Sequence, residues 1–270
     1  MQAAQLVKTG KIFDLGMPFD KDGPFESGGF RNNPIHVMTL LPSDGRSPDG
    51  MIAADDMAIM GLQAATQWDS LAHVGYDGSF YNNAPSTTVG STGATRNSFA
   101  KCVERLISRG VLLDIARLHG VDRLEDSTEI TPDDLTAAEQ RQGVRVESGD
   151  ILLVRTGHYQ WFAEGDKAHF MGNEPGLGVA SAEWLHEREV AAVAVDNWAC
   201  EVWPSPIKGS VIPFHMVAIR DMGLTLGEMF NLEALAADCE QDGVWEFLFC
   251  APGLKVTASV GSPITPMALK

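Results

Sequence analysis

The sequence predicts an α/β fold with mixed strand pairing, and three observations lead there. Short runs rich in Val, Ile and Leu, about 5–7 residues long and bounded by turn residues, fit strands buried on both faces. Helical segments with legible start and stop signals lie between those runs, and interspersed strands and helices define the class. The 270 residues are 44% hydrophobic and 21% charged, ordinary proportions for a chain that buries a large core. No Gly/Ser-rich or Pro-rich linker divides the chain, so residues 1–270 are expected to form a single domain.

Residues 1–50 are expected to be a loop-rich N-terminal arm. Gly, Pro, Asn and Asp punctuate Pro18 to Gly50 and leave no room for long elements. Gly75 to Gly93, with Asn82-Asn83-Ala84-Pro85, is loop-like for the same reason. Gly110-Val111-Leu112-Leu113-Asp114-Ile115 is the first buried strand. Thr131 then caps a helix with Pro132 at its first position and Asp133 and Asp134 at the positive end of its dipole. That helix should stop near Gln142, before Gly143. Asp150 to Arg155 is the second strand, introduced by Ser148-Gly149 and closed by Thr156-Gly157. Ser181 is expected to cap a helix over Ala182 to about Arg188. Val190 to Val195 is a third strand and Leu232 to about Glu240 a third helix. Trp245 to Ser259 is expected to form two strands around the Ala251-Pro252-Gly253 turn.

Charge narrows the function. Twenty basic residues against 36 acidic ones leave a formal charge of −16. Phosphate backbones repel such a surface and no Lys/Arg cluster offsets it, so nucleic acid is not an expected partner. No apolar run approaches the ~20 residues that span a bilayer. Met1 to Gly16 has neither the apolar core nor the cleavage site of a secretory signal. A cytoplasmic location without a membrane partner is therefore expected. Cys102, Cys200, Cys239 and Cys250 lie far apart with no C-x-x-C pair, the pattern of reduced, packed thiols rather than of a zinc-thiolate site.

Chemistry concentrates in Gln63-Ala64-Ala65-Thr66-Gln67-Trp68-Asp69-Ser70-Leu71-Ala72-His73. Gln67, Asp69 and His73 each offer a lone pair to a cation. On extended backbone Gln67 and Asp69 share a face, and on helical backbone Asp69 and His73 do. A strand entering a helical turn would bring all three together. Spacing alone leaves the plainer alternative open, a histidine hydrogen bonded to a nearby aspartate in a loop. Trp68, Tyr76, Tyr81 and Trp198 fall in or near the expected site loops, where an aromatic or heterocyclic substrate could stack. Core packing is the alternative for each. His36, His119, His158, His169 and His186 match no ligand spacing. His186 falls on an exposed helical position and His119 in a turn with Gly120, while His158 follows a strand end from which it could reach a cleft.

The segment resembles the signature of the cyclase family of metal-dependent hydrolases, which includes bacterial kynurenine formamidase and isatin hydrolase. That signature is H-x-G-T-H-x-D-x-P-x-H. Thr66, Asp69 and His73 match it. Gln63 and Gln67 stand at its first two histidines, Ala65 at its glycine and Leu71 at its proline. Gly110 to Asp114, Gly149-Asp150 through Thr156-Gly157, Pro175-Gly176-Leu177, Val193 to Asp196, Pro252 to Lys255 and Gly261-Ser262-Pro263 extend the resemblance from about Lys11 to Ala268. It implies a mixed-sheet, barrel-like α/β domain with peripheral helices that assembles as a homodimer or homotetramer.

The resemblance also brings in His215 and Glu228, which match the family's late metal-ligating His and Glu. An amide oxygen is neutral and a weaker ligand than imidazole, and it suits harder cations. One divalent metal ion rather than two is therefore expected, Mn or Zn, held by Gln67, Asp69, His215 and Glu228. Such a cation lowers the pKa of bound water and polarises a carbonyl. His73, matching the last motif histidine, is expected to serve as general base and then general acid. Gln63, Trp68, Tyr76 and Trp198 are expected to contact the substrate. Three functions fit these residues. The first is a hydrolase opening a small cyclic amide, imide or lactone, or cleaving an aryl formamide. The second is a biosynthetic cyclase or dehydratase using the same site. The third is a metal-free binding protein derived from the enzyme.

Overall fold

The structure, a computed structural model, describes residues 3–26, 29–45 and 47–270. Residues 1, 2, 27, 28 and 46 of the expected arm lie outside the described residues. In chain order the longer strands are β1 (Ile12–Asp14), β2 (Ile35–Leu40), β3 (Asp55–Ile59), β4 (Gln67–Asp69), β5 (Ile107–Asp114), β6 (Ile151–Arg155), β7 (Ala192–Val195), β8 (Thr225–Glu228), β9 (Glu246–Cys250), β10 (Gly261–Pro263) and β11 (Met267–Leu269). All but β2 and β3 join one curled, nine-stranded half-barrel sheet in the order β1-β11-β9-β5-β6-β7-β8-β4-β10. Its centre, β5 to β8, is parallel. The strands outside that centre pair antiparallel.

The parallel centre is apolar on both faces because both are covered. Val111, Leu113, Leu152, Val154, Val193 and Val195 point to one side. There they meet Leu135 and Ala138 of α1 (Pro132–Gln142) and Trp184 and Leu185 of α2 (Ser181–Glu187). The same side takes Phe214 of α3 (Pro213–His215) and Ala218 and Ile219 of the π-helical stretch Met216–Met222 that continues it. Leu112, Ile151, Leu153, Ala192 and Ala194 point to the other side. That side packs on Trp68, Phe230, Phe247 and Phe249 and on Leu235, Ala236 and Cys239 of α4 (Glu233–Asp242).

The expected α1 forms in full. Thr131 accepts from Asp134 N–H, Asp134 answers with a bond to the Thr131 backbone, and Gly143 closes the helix at φ 65°. Two expectations are corrected. Ser181 does not cap α2, because its hydroxyl donates instead to Ile130 O at 2.8 Å and Ala180 takes the cap position. Trp245 to Ser259 yields only β9 (Glu246–Cys250), and the next strands start at Gly261 and Met267. Leu254 to Thr257 run over the surface, where β pairing has no partner strand.

The arm and the residues just after it contain a feature their composition hides. β2 and β3 form an antiparallel hairpin whose residues are nearly all exposed. The pairs Ile35↔Ile59 and Val37↔Met57 place four apolar side chains on one face. His36, Met38, Asp56 and Ala58 occupy the other, where His36 Nε2 lies 2.8 Å from Asp56 Oδ2.

Candidate metal centre

β4 is short and lies between β8 and β10, and its register builds the site. Gln67 pairs with Glu228 and Trp68 with Gly227 on one side, and Asp69 pairs with Gly261 on the other. Alternation sends Gln67 and Asp69 to one face and Trp68 to the opposite one. Trp68 packs on Phe230 and Phe249, and its Nε1–H donates to Ala251 O at 2.9 Å. The expectation that Trp68 touches substrate gives way to a core role, since its side chain is fully buried. Gly227 is needed opposite it, because a Cβ there would lie 2.5 Å from the indole. Thr66 ties the strand down: its hydroxyl donates to Met229 O and accepts from Met17 N–H at 2.7 Å.

Asp69, His215 and Glu228 each place a ligand atom within 4.8 Å of the others, and all three are buried. His215 Nε2 lies 3.1 Å from Glu228 Oε1, and 3.7 Å from Asp69 Oδ2, an ion-pair distance rather than a hydrogen bond. Gln67 Nε2 donates to Glu228 Oε2 at 2.6 Å, which turns its Oε1 away from Glu228. That Oε1 and both Asp69 carboxylate oxygens are buried with no hydrogen-bond partner. Buried acceptors without donors are rare in folded proteins. The two Asp69 oxygens beside one imidazole and a second carboxylate are a donor set that fits one divalent cation, and the unpartnered Gln67 Oε1 stands on the same strand face.

The electrostatics agree with that fit. Burial pushes the Asp69 carboxyl up, but His73, His215 and Arg31 together hold it below the ordinary carboxylate value. Burial and the Asp69 charge leave Glu228 raised. His215 is raised well above the usual imidazole range: burial opposes its charge, and contacts with Asp69, Glu201 and Glu228 overcome that. Two buried carboxyls thus crowd one imidazole, and without a cation their charge is balanced by the His215 ring.

His73 stands in the turn after β4, with its N–H bonded to Ser70 O at 3.0 Å. Its Nε2 lies 3.7 Å from Asp69 Oδ1 and its side chain is 22% exposed, so it is the member of the constellation open to a substrate. Gln63 lies beside the motif strand with its Nε2 buried and unpartnered. Tyr76 is drawn to the π-helical stretch, where its hydroxyl donates to Asp221 Oδ2 at 2.6 Å and Arg220 lies over its ring. Trp198 is half-buried against a third apolar cluster that includes Ala64, Ala65 and Met229, and its Nε1–H donates to Gly172 O. Two contributors have no signal in the motif. Arg31 donates to Gln63 O at 3.1 Å, and its charge bears on both Asp69 and Glu228. Glu201 accepts from the His215 ring. Neither sits at a recognisable spacing from Asp69, because each arrives from a loop distant in sequence.

His158 does not reach a cleft; it is buried against Phe170. A cleft of about 770 Å³ lies between the arm and the segment 165–171, lined by Phe25, Phe30, Asn33 and Met171 among others. The ligand group itself does not line it.

Comparison with known proteins places this geometry. Residues 13–202 match the model of the Cyclase family. A crystal structure described as a novel cyclase is 37% identical, with a TM-score of 0.90 over 100% of this chain and 91% of that one. Isatin hydrolase A from Ralstonia solanacearum is 21% identical, with a TM-score of 0.71 over 96% of this chain and 92% of its own. A protein from Bacillus stearothermophilus described as a predicted metal-dependent hydrolase is 16% identical, with a TM-score of 0.63 over 97% and 98%. The last two share the fold. Comparison with curated proteins gives no match.

Proposed function

The chain belongs to the cyclase family, and from that premise we propose that it is a metal-dependent hydrolase of a small cyclic amide, imide or lactone, or of an aryl formamide. The observation that carries this reading is the set of unpartnered buried oxygens, Gln67 Oε1 with Asp69 Oδ1 and Oδ2, beside His215 and Glu228. These residues would hold one divalent cation, and their oxygen-rich chemistry favours Mn²⁺ over Zn²⁺. When bound, the ion supplies an activated water and polarises a carbonyl.

The protein's own residues do the rest. His73, at the open edge of the group, accepts the proton released as water adds to the carbonyl. It returns that proton to the departing nitrogen or oxygen as the C–N or C–O bond breaks. One water is consumed and a carboxylate product forms. Arg31, whose positive charge borders the centre, is suited to pair with that carboxylate. The half-buried Trp198, with Gln63 beside the motif strand, would border an aromatic or heterocyclic substrate. The fold shared with an isatin hydrolase and with a protein described as a metal-dependent hydrolase supports hydrolysis.

A second reading has one specific support, the description of the 37% identical neighbour as a cyclase. There the same His73 would remove a proton from a substrate that loses water. A pH-stat assay over lactams, lactones, imides and aryl formamides separates the two. The hydrolase reading expects acid release with at least one class, and His73→Ala should abolish it while leaving bound metal in place. Silence across the panel favours the cyclase reading, and turnover surviving in His73→Ala makes His73 structural.

The proposal includes a homodimer joined through the β2–β3 hairpin. The chain exposes 13039 Å² for its 29.1 kDa, whereas a compact monomer of that mass exposes about 11,400 Å². The excess, about 1,600 Å² on one chain, exceeds the roughly 800 Å² that each partner buries in a standard interface, so a second copy has area enough to cover. The exposed apolar face of Ile35, Val37, Met57 and Ile59 gives a second copy something to cover.

A further inference from the structure

We propose that Glu201 is a positioning residue of the metal centre: it locks the His215 ring so that Nε2 presents its lone pair to the site. The inference rests on the metal-centre reading above and names the residue that orients its one imidazole.

Glu201 is 1% exposed, and among the described residues its ion-pair partner is His215. Oε1 accepts from His215 Nδ1–H at 2.6 Å and from the His215 backbone N–H at 2.9 Å. Oε2 accepts from Phe214 N–H at 3.0 Å. One carboxylate therefore holds the ring and the backbone of the same residue. The two N–H groups belong to the first turn of α3, where helix donors lack intrahelical acceptors. Ile212, at the cap position, supplies no side-chain bond. Glu201 takes over that function from the far side of a loop.

The consequence for the ring follows from proton placement. A metal takes the neutral imidazole, and in that form a ring that donates through Nδ1 keeps Nε2 as its acceptor nitrogen. That nitrogen is the one 3.1 Å from Glu228 and 3.7 Å from Asp69. A carboxylate behind a ligating histidine fixes its orientation and raises its basicity, and losing such a partner weakens metal binding about 10–100-fold.

Glu201 is itself held rigidly. It bridges to Leu177, and Val202 N–H donates to Leu177 O. Gly176 lies so close that a Cβ would come within 2.3 Å of the Glu201 carbonyl carbon. Cys200 turns the chain into this position at φ 61°, with its N–H bonded to Asn197 Oδ1. No step of the proposed reaction uses these contacts, so their convergence on one buried carboxylate asks for another purpose.

Two measurements test the inference. Mn²⁺ titration, with free Mn²⁺ counted by electron paramagnetic resonance, compares wild type with Glu201→Gln and Glu201→Asp, alongside their thermal melting. Glu201→Gln keeps the volume but loses an acceptor, and should weaken Mn²⁺ binding about 10–100-fold. Glu201→Asp, which keeps the charge, should lose less. A helix cap alone would lower melting temperature and leave Mn²⁺ affinity unchanged. Nitrogen NMR of histidine-labelled, Zn²⁺-loaded wild type should show His215 protonated at Nδ1 and metal-bound at Nε2. This measurement stands even if the variants fail to fold. Binding through Nδ1, or Glu201→Gln binding Mn²⁺ within twofold of wild type, overturns the inference alone. A wild type that binds neither ion overturns the metal-centre reading and the inference with it.

Discussion

Gln67 and Asp69 reach the site because one strand position separates them, and Trp68 between them anchors that strand in the core. This much was legible in the motif, since alternation along an extended strand needs only the residue spacing. Glu201 and Arg31 were not legible, because a side chain that arrives from a loop leaves no periodicity to read. His158 shows what burial alone does to a residue with no motif. Its ring stacks on Phe170, its Nε2–H donates to Phe170 O at 2.9 Å, and burial pushes its pKa down to about 4 from 6.5. The unfolded chain takes up this proton near pH 6.5 and the folded chain only near pH 4. His158 therefore withdraws stability as pH falls through that window, by about 3 kcal/mol at most. Asp196 acts in the opposite sense: burial raises it to about 6 from 3.8, so the folded chain protonates first and gains stability as pH falls from 6 towards 4. Urea melts at pH 7 and pH 4.5 should show wild type losing about 2–3 kcal/mol relative to His158→Phe on acidification. A difference that does not change with pH would contradict a buried neutral imidazole.

The elements were legible wherever a local rule sufficed. α1 has both caps written in its own sequence, and it runs from Pro132 to Gln142 as its caps require. α2 begins where expected but for another reason, because Ser181 finds a tertiary acceptor in Ile130 O. The strand expected after Pro252 is missing because Leu254 to Thr257 run over the surface with no strand beside them to pair with. No residue type announces the π-helical stretch Met216–Met222. The Arg-Thr-Gly end of β6 proves to be structural glue. Arg155 grips Glu233 of α4 with two bonds of 2.9 Å and donates to Asp114 Oδ1 at 3.0 Å from a nearly closed environment. Thr156 and Gly157 bind the Asp196 carboxylate at the end of β7. Arg155→Met should cost about 3 kcal/mol in denaturant unfolding, the low end for a broken buried pair. The loss is limited because Arg117 remains 3.5 Å from Asp114. Arg155→Lys should fall between, since an ammonium cannot reproduce the two-pronged contact. Wild-type stability in Arg155→Met would remove this strand-to-helix tie from the account.

At the scale of the whole molecule, the sheet order brings residues 67–69 and 228 together although up to 161 positions separate them, and α3 sets His215 beside them. Sequence could supply the members of that group only through family resemblance, because no spacing rule spans such a distance. The hairpin is the other whole-molecule feature. An isolated two-stranded hairpin is marginal in water, yet this one presents Ile35 at 51% exposure opposite Ile59 at 57%. Light scattering on wild type should give twice the chain mass, and Ile35→Lys with Ile59→Lys should shift it to the single mass without altering the melting of the sheet. A wild-type monomer at micromolar concentration would exclude the hairpin interface. The central claim is that buried Gln67, Asp69, His215 and Glu228 hold one divalent cation. Elemental analysis of protein purified without chelator tests it most directly: about one Mn²⁺ or Zn²⁺ per chain in wild type, and none in a folded Asp69→Ala, is the predicted result. A fully active wild type without metal, or equal metal in both proteins, would contradict it.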